Sequence, residues 1–166
     1  MNKIVLDSDG LIKLTKSGCL MKILNSFQCL ITEEVYDETV IRGMERAHDD
    51  AYEINGLIKE GKLKVENIKN NKLVENMLKN RTFGVGECST LHLFHNSDAK
   101  VIVTDDRAFL NLLDKNNISY IIPTDLIVRL YELKVITKDE SINFLDAIKV
   151  YVSGQNYDAA RRNLEV

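Results

Sequence analysis

Short apolar runs rich in β-branched residues alternate along this chain with longer stretches of helical spacing, and no other feature restricts the fold as strongly. The runs are Ile4 to Leu6, Cys29 to Ile31, Val101 to Val103 and Tyr120 to Ile122, each bounded by polar or turn residues. Between them, Leu11, Ile12 and Leu14 follow the first run, and Leu110, Leu112 and Leu113 follow the third, at the spacing of a buried helix face. Strand and helix in alternation imply an α/β fold with a parallel sheet covered on both faces, a three-layer α/β/α sandwich. Leu63 to Ile68, where Leu63 and Val65 alternate with Lys64 and Glu66, reads as one further, edge-like strand.

The chain has 166 residues, 45% of them hydrophobic, enough for one substantial core and too apolar for a disordered tail. One proline and eight glycines leave little for a flexible linker. Residues 1–136 are therefore expected to form one domain, with 137–166 a helical extension packed on it. In that extension Thr137 and Glu140 form a capping box, and Ile142, Leu145, Ile148 and Val152 recur along one face. Ser153-Gly154 is expected to stop this helix, and a second is expected over Tyr157 to Leu164, the pair serving packing or dimerisation.

Cys19, Cys29 and Cys88 are an odd set without C-x-x-C spacing, which argues against a disulfide framework or zinc ribbon and for a reducing cytoplasm. Only three apolar residues precede Asp7, too few for a secretory signal, and no apolar stretch approaches the roughly 18 residues of a membrane span. A soluble, unprocessed cytoplasmic chain is expected. Twenty-two Lys plus Arg against 25 Asp plus Glu give a net charge of −3, which disfavours a broadly basic nucleic-acid surface.

In open parallel sheets ligands bind beyond the carboxyl ends of the strands. There the first strand ends in Asp7-Ser8-Asp9-Gly10 and the third in Thr104-Asp105-Asp106-Arg107. If these strands are neighbours, their carboxylates converge, and Glu38 and Glu87 can join them from helices. Clustered carboxylates repel unless protonated or neutralised by a cation, so the set implies a divalent metal. All-oxygen ligation without histidine selects Mg²⁺ or Mn²⁺ over zinc, and such a site suits metal-assisted phosphodiester hydrolysis.

Asp7-Ser8-Asp9-Gly10-Leu11-Ile12, Val35-x-x-Glu38, Gly84-x-Gly86-Glu87-x-x-x-Leu91 and Val101-Ile102-Val103-Thr104-Asp105-Asp106-Arg107 occur in that order and spacing. Together they resemble the PIN-domain nucleases, of which the VapC-like toxins of toxin-antitoxin pairs are small members, over roughly residues 3 to 125. The resemblance implies a central parallel sheet of about five strands, Mg²⁺- or Mn²⁺-dependent endoribonuclease activity on RNA, frequent homodimers and, for the toxins, an antitoxin protein partner. By position Asp7, Glu38 and Glu87 match the family's metal-binding acids, and Asp105 or Asp106 the fourth. Of that double acid, Asp106 is the one placed with the catalytic residues. Ser8 and Thr104 match small hydroxyl positions beside the metal. Asp9 departs from the pattern, since that place more often holds Asn, Ser or Thr.

Each acid also has a plain structural reading: Asp7 and Asp9 as turn or cap residues of the next helix, Glu87 as a first-turn acid, and one of Asp105 and Asp106 as a cap. Glu33 and Glu34 already suit the helix dipole behind a Thr32 cap, which leaves Glu38 as the acid on a partly buried stripe. Cys88, His92 and His95 share a helix face, but three ligands on one rigid helix seldom converge on a single ion. Lys13, Lys16, Arg81, Arg161 and Arg162 read as solvated surface, and Arg107, beside the acidic pair, as a phosphate contact. Asp7-x-Asp9-Gly10 also fits haloacid-dehalogenase-type phosphatases, with Asp7 as nucleophile, although Glu38 and Glu87 then lack a role. A PIN-like scaffold that binds RNA or a partner without cutting would be expected to have lost one of the acids, and every position is filled.

Overall fold

Ile4, Val5 and Leu6 are consecutive and all buried, as a strand covered on both faces requires. They lie in β1 (Lys3–Leu6), the centre of the sheet. A computed structural model describing residues 1–166 shows five parallel strands in the order β3-β2-β1-β4-β5. β2 is Gln28–Thr32, β3 Lys64–Glu66, β4 Val101–Val103 and β5 Tyr120–Ile121. The weakly patterned segment after Leu63 is indeed an edge strand. β1 and β4 are neighbours, with Leu6 opposite Val103, so the two acidic strand ends lie side by side.

Alternate side chains of the central strands feed two cores. Ile4, Leu6, Ile31 and Val103 join the larger one, with Leu11 and Leu14 of α1 (Ser8–Ser17) and Ile23 of α2 (Leu20–Ser26). Leu126 and Leu130 of α9 (Pro123–Glu132) complete this face. Ile102 faces the other way, toward Leu91 of α7 (Val85–Asn96), Phe109 and Leu112 of α8 (Arg107–Lys115) and Val74 of α6 (Lys72–Leu78). The sandwich is therefore three-layered. After β2 come α3 (Glu33–Tyr36), a π-turn over Asp37–Ile41, α4 (Arg42–Glu45) and α5 (Asp49–Lys59).

The C-terminal segment forms α10 (Lys138–Ile148), a 3₁₀ turn (Lys149–Tyr151) and α11 (Gly154–Asn163). Both halves of the Thr137–Glu140 capping box are made. Leu145 and Ile148 from α10, Ala160 from α11 and Leu164 just beyond it enter the larger core. Ser153-Gly154 has a different role from the one its composition suggests: Ser153 Oγ accepts from Asn156 N at 3.1 Å and starts α11, three residues before Tyr157. Serine before a helical run is an N-cap as readily as a stop, and the apolar pattern of α11 begins too late to reveal its first turn.

Candidate active site

Asp7 directly follows β1 and is 2% exposed. Its backbone N–H donates to Val103 O at 3.1 Å, continuing the ladder one residue past the strand and locking Asp7 beside Thr104. Thr104 Oγ1 donates to Asp7 Oδ2 at 2.8 Å, and Ser8 N to Oδ1, also at 2.8 Å. The next helix can lie this close because Gly10 has no side chain. A Cβ there would stand 2.5 Å from Val103 O, a backbone atom that cannot move aside. Burial, and then the charges of Glu87 and Asp9, outweigh these two hydrogen bonds and push the Asp7 carboxyl up to about 7.

Glu38 reaches the same place from the opposite side. It is the second residue of the π-turn, whose wider i→i+5 geometry changes the direction of the side chains that follow α3. Buried Thr39 steadies the turn by donating to Val35 O at 2.7 Å. Ser8 Oγ donates to Glu38 Oε2 at 2.5 Å. The carboxylate rests against Gly86, where a Cβ would lie 2.7 Å from Oε2. Glu87 stands in the first turn of α7 with its carboxylate folded over Gly84, and its charge acts on Asp7. Glycines 84 and 86 thus make room for the two glutamates.

The double acid divides its work. Asp106 Oδ1 accepts from Phe109 N at 2.8 Å and caps α8, while its own N–H donates to Thr104 Oγ1 at 3.3 Å, so it adjoins Asp7 through one threonine. Asp105, with its side chain 8% exposed, turns the other way and accepts from Lys13 Nζ at 2.8 Å and from Asn156 Nδ2 at 3.2 Å. Asp9 joins that second group. Its Oδ2 accepts from Lys13 Nζ at 3.1 Å and from Asp105 N at 3.2 Å. Asp9 is not a cap, since α1 starts at Ser8.

Lys13 is the main correction to the sequence reading. Far from solvated, its side chain is 14% exposed and bridges Asp9 and Asp105. Burial alone would lower the Lys13 pKa, but Asp105 and Asp9 more than offset it and raise the ammonium above its ordinary value. The Asp9–Lys13 spacing of four was the one available signal. Asn156, 51 residues from Asp105, gave none. Asp125 in α9 was also missed; desolvation, then the Asp105 charge, raises its carboxyl above the usual range.

These groups fit a hard divalent cation by charge and donor chemistry. Nearby ion pairs join Lys13 to Asp9 and Asp105 and Lys16 to Asp50, leaving Asp7, Glu38 and Glu87 without a cationic partner. Their donors are all carboxylate oxygens, suited to Mg²⁺ or Mn²⁺. As the side chains stand, no three ligating groups are close enough to share an ion. Convergence would require the long Glu38 and Glu87 side chains to turn toward Asp7. The Cys88, His92 and His95 stripe forms no metal cluster either. His92 Nδ1 instead accepts from Asn71 N at 2.9 Å, tying α6 to α7.

A sequence model of the family described as DUF3368: PIN domain matches residues 3–165, which includes α10 and α11 as well as the strand-end acids. No curated protein matches the chain. No helix is long and apolar enough to cross a membrane.

Proposed function

Because the chain belongs to the PIN-domain family, whose members are generally metal-dependent nucleases, we propose that it is an Mg²⁺- or Mn²⁺-dependent endoribonuclease. The observation that carries this reading is a buried Asp7, fixed between the ends of β1 and β4, with Glu38, Glu87 and Asp106 around it. Asp7, Glu38, Glu87 and Asp106 would hold the metal, with Asp105 beside them. When bound, the ion supplies Lewis-acid activation of a phosphoryl oxygen and of the attacking water.

The chain's own groups do the positioning. Thr104 and Ser8 fix the Asp7 carboxylate with one hydrogen bond to each oxygen, and Ser8 also holds Glu38. Since Asp7 has its ordinary carboxylate charge only above about pH 7 when unneutralised, a nearby cation favours its ionised form. Asp9, engaged by Lys13 and the Asp105 N–H, lacks the freedom that the phosphatase mechanism asks of its second aspartate.

A toxin role, with an antitoxin protein that blocks the site and a homodimer as the working unit, is a finer form of the same reading and rests on likeness to the VapC-like toxins. Incubation of the purified protein with a mixed RNA pool, with and without Mn²⁺, tests the activity. Metal-dependent cleavage that Asp7→Asn abolishes is expected. Intact RNA beside hydrolysed phosphomonoester would favour the phosphatase, and RNA bound but uncut would favour a non-catalytic scaffold.

A further inference from the structure

Two cavities flank the acidic strand ends, and their linings have opposite character. The larger, about 720 Å³, runs past Glu38 and is lined by Glu33, Glu34 and Asp37 as well, against Arg42 and Lys59. A polyanion is disfavoured there. The other, about 470 Å³, lies where Lys13 and Asp105 meet Arg107, Tyr151, Gln155 and Asn156. Both volumes are within the roughly 300–1,000 Å³ of small-ligand clefts.

Several observations make the second cavity a place for a nucleotide. It adjoins the catalytic acids, since Asp105 follows the Thr104 that bonds Asp7. Arg107 is exposed and takes part in no ion pair, so its guanidinium is free for a phosphate. Tyr151 is 48% exposed on the short 3₁₀ turn, an aromatic surface at the cavity wall, with the Lys16 ammonium 5.0 Å from its ring centroid. Gln155 offers an amide that both donates and accepts, as the edge of a base requires. The Asn156–Asp105 hydrogen bond fixes the start of α11 against the site, so this wall is held in place.

Resting on the nuclease reading, we propose that this cavity is a subsite for one nucleotide of single-stranded RNA beside the cleaved bond. Tyr151 stacks on the base, Arg107 binds the adjoining phosphate and Gln155 meets the base edge. Unpaired bases are recognised in this way, by stacking on aromatic rings and by hydrogen bonds to their exposed edges. The C-terminal segment thereby becomes part of the substrate-binding surface as well as of the core.

Fluorescence anisotropy with labelled short single-stranded RNA tests the subsite in an Asp7→Asn background, where the probe is not consumed. Tyr151→Ala is expected to weaken binding about tenfold, and Tyr151→Phe, which keeps the ring, by less than about twofold. Arg107→Ala should weaken binding and reduce the slope of log affinity against log salt by about one. Unfolding midpoints close to the parent's establish that the variants fold. Alanine variants that bind within about twofold of the parent, or a parent that binds no short RNA, overturn the subsite. The two readings fail separately: wild-type protein that leaves RNA uncut in Mn²⁺ while Tyr151→Ala still weakens binding removes the nuclease and keeps the subsite.

Discussion

Asp7 combines nearly complete burial with an uncompensated charge, and that combination has a measurable cost. Its carboxyl titrates near 7 in the folded chain and near 3.8 without the fold. Between those values the folded state binds more protons than the unfolded one, so stability contributed by Asp7 is full below about pH 4 and is lost as pH rises through 7. In metal-free protein, Asp7→Asn should therefore unfold at a higher temperature than wild type at pH 8, by on the order of a few °C, with a smaller difference at pH 5. Mn²⁺ should raise the wild-type midpoint at pH 8 and leave that of Asp7→Asn nearly unchanged. Thermal unfolding followed by circular dichroism at both pH values checks each expectation. Asp7 and Glu87 were legible as candidates because a strand end and a glycine-flanked helix start mark positions near a sheet's ligand-binding edge, and Glu38 only as the acid on a partly buried stripe three residues after Val35. The Lys13 bridge could not be told from a surface pair, because its second partner, Asp105, comes from a strand end 92 residues away.

At the scale of elements, two close approaches set how near to one another the acids lie. Gly10 lets α1 lie on β4, and a methyl group there would press on the Val103 carbonyl. Gly10→Ala should cost roughly 1–3 kcal/mol or more, seen as a lower midpoint in denaturant. Gly86→Ala places its methyl group against the end of a flexible glutamate. Its expected effect is on the site: Glu38 is displaced from Ser8, cleavage slows by about tenfold or more, and the unfolding midpoint changes little. Equal loss of stability in both variants would contradict the distinction. The strands, their parallel arrangement and the α10 capping box were all legible from periodicity and caps. The π-turn was not, since nothing in the composition of Asp37–Ile41 marks a wider turn.

For the whole molecule, the boundary drawn at residue 137 matters less than the packing across it. Leu145 and Ile148 are fully buried in the same core as Leu11 and Leu14, and the family match runs through to residue 165. Leu145→Ala should destabilise the chain by roughly 2–5 kcal/mol, and a chain ending at Ile136 should lose cooperative unfolding. A truncated chain that melts sharply near the full-length midpoint would show that the extension is dispensable. The net charge of −3 also has a different meaning at this scale. Setting aside Asp7, Glu38, Glu87, Asp105 and Asp106 leaves 20 acids against 22 bases, so the deficit is concentrated around the strand ends. The central proposal is that Asp7, Glu38, Glu87 and Asp106 form one cation-dependent centre, with Asp105 held apart by Lys13 and Asn156. Calorimetric titration of Mn²⁺ into the wild-type protein and Asp7→Asn at pH 7.5 tests it most directly. The expected result is saturable binding by the wild type with release of protons, weakened at least about tenfold by the substitution. Equal Mn²⁺ affinity in the two proteins would contradict it.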